Sequence, residues 1–178
     1  MAEIAQLART PKPTLHYYFQ NKESLYRAVL DEILDLWMAE TDVIVADADP
    51  ANALENYVRA KMRLTQERPD ASRVFANELL HGAPELQGYL RTTLHDRVTQ
   101  RAQVLDQWQQ EGKMLRIDSM HLFFSIWAMT QTYADFQVQV CAVLGKPHLD
   151  ATDFAVATDH VVAITLRACG LKPAPAAP

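Results

Sequence analysis

The sequence is short of glycine, with five in 178 residues, and has only two cysteines. So few glycines exclude the glycine-rich turns that cradle nucleotide phosphates, and neither a P-loop nor a dinucleotide fingerprint is present. Cys141 and Cys169 lack CxxC or metal-ligand spacing and read as reduced thiols of a cytosolic protein. His16, His81, His95, His121, His148 and His160 are scattered, with no close ligand pair. With GxSxG and HExxH also missing, no enzyme activity, cofactor or metal site is expected. No run approaches the ~18–20 apolar residues that span a bilayer. Met1 to Ala8 carries Glu3 and has no apolar core of a signal peptide. The expected location is cytoplasmic. Strand-like alternation and internal repeats are missing too.

What is present is helical patterning. About half the residues are apolar, enough for one substantial core. Breakers at Thr10-Pro11, Asp49-Pro50, Arg68-Pro69, Gly82-Ala83-Pro84, Gly112-Lys113, Gly145-Lys146-Pro147 and Gly170 divide the chain. Between them apolar residues recur at helical spacing. Leu25, Val29, Ile33 and Leu36/Trp37 form one stripe, and Leu54, Tyr57/Val58 and Met62 a second. Leu86, Leu90, Leu94, Val98, Ala102 and Leu105 form a third, long enough for about six turns. The fold class is all-α. Residues 119–144 are apolar on more than one side, as in a helix covered from several directions. Phe154 to Leu166 also has a broad apolar face. Two such helices late in the chain suggest a homodimer seam, a four-helix bundle about a two-fold axis; the alternative is an ordinary monomer core. The tail, 171–178, reads as disordered.

The net charge of −5 is uneven: residues 1–30 hold +2, leaving −7 for the rest. A basic end on an acidic body suits a DNA reader with a separate regulatory body. Ile4 to Leu25 reads as a short helix, a tight turn, a second short helix and the start of a long one. The second helix cannot begin before Pro11, Pro13 is tolerated in its first turn, and Asn21 can cap the next helix. A helix-turn-helix presents its second helix to the major groove. Lys12, Thr14, His16, Tyr17 and Tyr18 give that helix polar and aromatic groups. Lys22 stands where an ammonium and free backbone N–H groups could hold a phosphate. A helical hairpin that never touches DNA is the competing reading.

Ile4-Ala5, Thr14-Leu15, Tyr18-Phe19 and Lys22-Glu23-Ser24-Leu25 fall at the offsets of the DNA-binding signature of the TetR family, which this stretch resembles. The resemblance implies DNA contacts by Lys12, Pro13, Thr14, His16, Tyr17, Tyr18 and Lys22, a homodimer on palindromic operator DNA, and a ligand-responsive regulator, expected to be a repressor. Two departures stand out. Arg9-Thr10-Pro11 replaces the family's Gly-Val-Ser turn, so Arg9 must accept a left-handed conformation or the turn is altered. The family's first helix, which covers the back of the motif, does not precede Met1. The reading head is therefore expected to be a remnant, poorly ordered, with Ile4, Leu7 and Leu15 partly exposed. The expected division is 1–45 for this head and its connecting helix, and 46–170 for a ligand-binding and dimerisation domain.

The body resembles the branch of pyrimidine-utilisation regulators within that family. The segments carrying this are Ala28 to Trp37, Pro69 to Phe75, Gly82-Ala83-Pro84 and Trp127 to Phe136, continuing to Val140. The resemblance implies a pyrimidine effector such as uracil or thymine. Such a base needs an apolar slot with an amide or carboxylate at its edges. Trp127, Gln131 and Asp135 stand at i, i+4 and i+8, roughly on one helical face. Gln131 and Asp135 could instead bond across a dimer seam. Trp37 and Arg73 are further candidates, the first equally readable as core and the second as a solvated ion-pair partner. Tyr133 suits either pocket or interface. A competing function is a degenerate helical dimer that no longer binds DNA but takes a small molecule or partner protein.

Overall fold

A computed structural model describes residues 1–172, which hold helices and no strand. In order they are α1 (Ala2–Leu7), α2 (Lys12–Tyr18), α3 (Lys22–Ala39), α4 (Pro50–Glu67), α5 (Pro69–Leu80), α6 (Gln87–Tyr89), α7 (His95–Gln110), α8 (Ser119–Asp135), α9 (Gln137–Leu144) and α10 (Ala151–Ala168). A 3₁₀ turn, Glu40–Val43, follows α3, and a π-helical turn, Leu90–Leu94, joins α6 to α7. The tail expected to be disordered lies, from residue 173 on, outside the described residues; Leu171 packs against the core.

Local chemistry sets these boundaries. Asn21 and Ser24 form a reciprocal capping box, the Asn21 side chain accepting from the Ser24 N–H at 2.8 Å. Asp49 and Asp118 cap α4 and α8 by accepting from the N–H three residues on. Asp150 and Asp153 make a second capping box at α10. Pro13, Pro50 and Pro69 occupy first-turn positions, where their missing N–H groups cost nothing.

Two features depart from the expected run of helices. The third stripe is not one regular helix, because the π turn widens it between Tyr89 and His95. The stretch 119–144 breaks at Phe136, with φ −113° and ψ 29°, although no proline or glycine lies there. The reason is tertiary: Arg73 Nε donates to the Ala134 carbonyl at 3.1 Å, a carbonyl that a continuous helix would give to the amide of residue 138.

Arg9 does take the left-handed region, at φ 49°. A side chain there costs about 1–2 kcal/mol relative to a right-handed turn. Arg9→Gly is expected to stabilise the α1–α2 hairpin by up to about 1 kcal/mol, once glycine's greater freedom in the unfolded chain is subtracted. Slower amide exchange in α1 and α2 than in the parent would show it; unchanged or faster exchange would count against the strain.

Helix α4 is central, packed against α8 and α10. Leu54, Tyr57, Val58 and Met62 of α4 meet Leu105 and Trp108 of α7, Phe123 and Ile126 of α8, and Val161 and Leu166 of α10 in the main core. A second cluster roots α3: Leu30, Ile33, Leu34 and Trp37 pack with Phe75, Ala83 and Leu86. The hairpin ahead of α3 adds little to either cluster. Leu7 is 86% exposed, Ile4 and Leu15 are half-buried, and Ala5 is the buried member of α1.

Candidate functional site

The head presents its candidate DNA contacts outward. No residue of α2 is buried, and Lys12, Pro13, Thr14, His16, Tyr17, Tyr18 and Lys22 are all exposed. Tyr17 and Tyr18 are 83% and 70% exposed and meet edge to face, ring centroids 5.1 Å apart. Residues 4–22 contain no Asp or Glu, whereas Arg9, Lys12 and Lys22 are cationic. Large exposed aromatics beside unopposed cations suit a phosphate-lined groove better than water. The capping box engages the Ser24 amide and leaves the earlier N–H groups of α3, beside Lys22, available to an anion.

Helix α3 ties this head to the body. Tyr26 donates from its hydroxyl to Glu78 of α5 at 2.8 Å, and the other Glu78 oxygen accepts the Glu85 N–H, also at 2.8 Å. Burial and the Glu78 carboxylate push the Tyr26 hydroxyl up to about 12. Arg27 pairs with Glu85 beside it.

Behind that tie lies a cavity of about 100 Å³, at the junction of the two cores. Leu34, Trp37 and Met38 of α3, Tyr57 and Lys61 of α4, Phe75 and Leu79 of α5, Leu90 and Leu94 of the π turn, and Trp127 and Gln131 of α8 line it. Both ends of the π turn, Leu90 and Leu94, border the cavity; π turns recur at functional sites. Trp37 and Phe75 stack edge to face, 4.7 Å between centroids. Trp127 donates from Nε1 to the Tyr57 hydroxyl oxygen at 2.8 Å, which fixes both rings.

Three of the six residues expected in a pocket are therefore together: Trp37, Trp127 and Gln131. The other three lie elsewhere. Asp135 accepts the Ser72 hydroxyl at 2.6 Å, one helical turn beyond the cavity. Arg73 bonds the Ala134 carbonyl, Asp70 and Gln137, holding the α8–α9 break. Tyr133 sits against Phe154 of α10 and faces an outer groove. Each i+4 step drifts about 40° round a helix, so Asp135, two steps on, lies about 80° round from Trp127, enough to carry it off the cavity wall.

Lys61 escaped the sequence reading. Its signal was present: at i+4 from Tyr57 and i+3 from Val58 it falls within the apolar stripe of α4, where a lysine is out of place. It is 5% exposed, its ammonium lies 4.5 Å from the Trp37 ring centroid, and burial holds its pKa down to about 8. The cation–π contact offsets only part of that desolvation.

A larger groove, about 530 Å³, opens on the far side between α8, α9 and α10, lined by Tyr133, Val140, Val143, Leu144, Leu149 and Val156 among others. Phe124, Phe136, Val138 and Ile164 add exposed apolar surface to the same helices. It is more open to solvent than the inner cavity. Large exposed apolar patches are the kind of surface that contacts with other macromolecules cover. No helix among the described residues is long and apolar enough to cross a membrane.

Residues 1–29 match the family profile "Bacterial regulatory proteins, tetR family", and residues 30–172 match "YcdC-like protein, C-terminal region". The two matches meet inside α3. The chain is 39% identical over 173 residues to the HTH-type transcriptional regulator RutR of Escherichia coli K12, and equally to those of Escherichia coli O157:H7 and Shigella flexneri. That alignment covers 97% of this chain and 81% of each relative. These are transcriptional regulators, not enzymes. On the length and identity of these matches, the chain belongs to the TetR family of helix-turn-helix transcriptional regulators.

Proposed function

We propose that this regulator is a repressor whose grip on a palindromic operator is released by a pyrimidine such as uracil or thymine in the inner cavity. The observation that carries this is the cavity's position. Its walls include Leu34, Trp37 and Met38 of α3, the helix that begins immediately after the reading head. A flat ring between Trp37 and Trp127 would press on α3 directly, while Gln131 offers donors and an acceptor to an edge that alternates carbonyl and N–H groups. The cavity volume also argues for a small effector. Drug-sized ligands need roughly 300–1,000 Å³, and a cavity of ~150 Å³ takes a benzene ring. About 100 Å³ suits one six-membered ring after slight opening. The likeness of Trp127 to Phe136 to pyrimidine-utilisation regulators supports the same class.

In the operator-bound dimer, Lys12, Thr14, His16, Tyr17 and Tyr18 contact the major groove and its flanking phosphates, Pro13 sets the entry of α2, and Lys22 takes a phosphate. The subunits pair through α8 and α10. Half-sites lie roughly 34–36 Å apart, so tilting each α3 changes the separation of the recognition helices and weakens binding. The effector acts only to the extent that it prefers the tilted state.

Calorimetric titration with uracil and thymine tests the effector. Saturable binding, weakened about 10–100-fold by Gln131→Ala through loss of one or two buried hydrogen bonds, is the expected result. Heat with neither base would sink the pyrimidine assignment. The α3 tie gives a second expectation. Tyr26→Phe takes a donor from the buried Glu78 carboxylate, so it should cost about 1–2 kcal/mol of stability. Effector affinity should stay within twofold, because Tyr26 does not line the cavity. Denaturant unfolding and titration on the same variant separate the two effects.

A further inference from the structure

The inner cavity holds one cationic group and no anion of its own. Lys61 is nearly fully buried and lines the space, and no hydrogen bond or ion pair within the described residues engages its ammonium. The two carboxylates whose fields reach it, Glu40 and Asp135, are committed elsewhere. Glu40 pairs with Arg63 at 3.2 Å, and Asp135 accepts the Ser72 hydroxyl. The other groups facing Lys61 do not supply a counter-charge. Tyr57, on the same helix, has its hydroxyl held neutral by burial. The walls from α5 and the π turn are Phe75, Leu79, Leu90 and Leu94, and those from α8 are Trp127 and Gln131. A buried, unpaired ammonium is costly, and a ligand that brings negative charge to it removes that cost.

From this arrangement we infer that the cavity selects acidic ring compounds, bound as anions against Lys61 Nζ, over neutral rings of the same shape. The inference rests on the reading of this cavity as the effector site. It narrows the effector class to cyclic imides and related ring acids that lose a ring proton easily, with Lys61 as the specificity-determining residue. Binding such an acid moves one proton, from the ring N–H to solvent when Lys61 is already charged, or to Lys61 when it is neutral. The free-protein pKa of about 8 sets the pH window. For a ring acid already ionised at neutral pH, affinity is full only well below pH 8, where Lys61 is protonated. It falls as pH rises through 8 and Lys61 loses its proton.

The test is a calorimetric comparison of uracil, 5-fluorouracil and 6-azauracil, three rings of nearly one size in order of increasing acidity, with benzoate and benzamide as a charged and a neutral ring outside the pyrimidines. Each is titrated into the full chain and into Lys61→Met, at pH 7 and pH 9. Lys61→Met should fold as well as the parent, since it exchanges an unpaired buried charge for an apolar side chain of similar length; circular dichroism and hydrodynamic size check this. The expected result is tighter binding of 6-azauracil than uracil by about tenfold or more at pH 7. That preference should vanish in Lys61→Met, and the 6-azauracil affinity of the parent should fall at pH 9. Equal affinity across the three pyrimidines, or a preference that survives Lys61→Met, overturns the inference and leaves the pyrimidine reading standing. Lys61-dependent binding of benzoate, with neither benzamide nor any pyrimidine bound, upholds the inference and removes the pyrimidine reading. No binding of any of the five removes both.

Discussion

Val156→Glu is expected to separate the dimer into monomers and to lower operator affinity by about 10²–10⁴-fold, the gain that linking two binding modules confers. Val156 lies on α10, is 66% exposed and lines the outer groove with Tyr133, Val143 and Leu144. On a two-fold seam each substitution occurs twice, so two carboxylates enter a largely apolar groove that already holds Asp153. The folded subunit should be unaffected, because the side chain contributes nothing to the subunit's own core. Gln103→Glu, an exposed position on α7, adds the same charge away from the groove and should leave both properties intact. Sedimentation reads the mass, and fluorescence anisotropy with a labelled palindrome reads the affinity. A Val156→Glu chain that stays dimeric would remove α10 from the seam and with it the assignment of the outer groove.

The head and body were legible for different reasons. The α1–α2–α3 region carries its boundaries in local chemistry: prolines at first-turn positions and an Asn-Ser capping box need no tertiary context. The backbone strain at Arg9 was legible only through the resemblance, which puts Arg9 where the family has glycine and left open either a left-handed residue or an altered turn; the left-handed residue is what the structure has. The break at Phe136 was not legible. It is made by Arg73, 63 positions earlier, through a carbonyl contact that no local pattern encodes. The π turn at Leu90–Leu94 was equally hidden, since the apolar spacing of Leu86, Leu90 and Leu94 is the same for a regular helix.

The cavity was half legible. Trp37, Trp127 and Gln131 stood out as residue types that a ring ligand would use, and the structure gathers them. Asp135 and Arg73 stood out on the same grounds but meet protein partners first. Residue type alone does not distinguish a polar side chain satisfied by a distant serine or carbonyl from one awaiting a ligand. Lys61 shows the complementary failure. A lysine is discounted as solvated surface unless its register within an apolar stripe is counted, and it is that register on α4 that buries it.

Two tryptophans of the same core make the difference between support and function measurable. Trp108 is fully buried on α7 and donates from Nε1 to the Ala46 carbonyl at 3.0 Å, pinning the loop that leads into α4. It does not line the inner cavity. Trp108→Ala should therefore cost about 3–5 kcal/mol, the usual loss for removing a large aromatic from a filled core. For a chain of this size each kcal/mol lowers Tm by about 2–4 °C, so a fall of roughly 6–20 °C is expected at fixed protein concentration. Effector affinity, measured well below the new Tm, should change little. Trp127→Phe should behave in the opposite way. Its ring borders a cavity that is already open, and its indole N–H makes one bond, to Tyr57. Stability should fall by only about 1 kcal/mol, while the effector loses part of its stacking face and the wall fixed by the Tyr57 bond, and binds at least tenfold more weakly. If Trp127→Phe instead unfolds the protein and keeps effector affinity in what remains, Trp127 is core and the cavity beside it is a packing defect rather than a binding site.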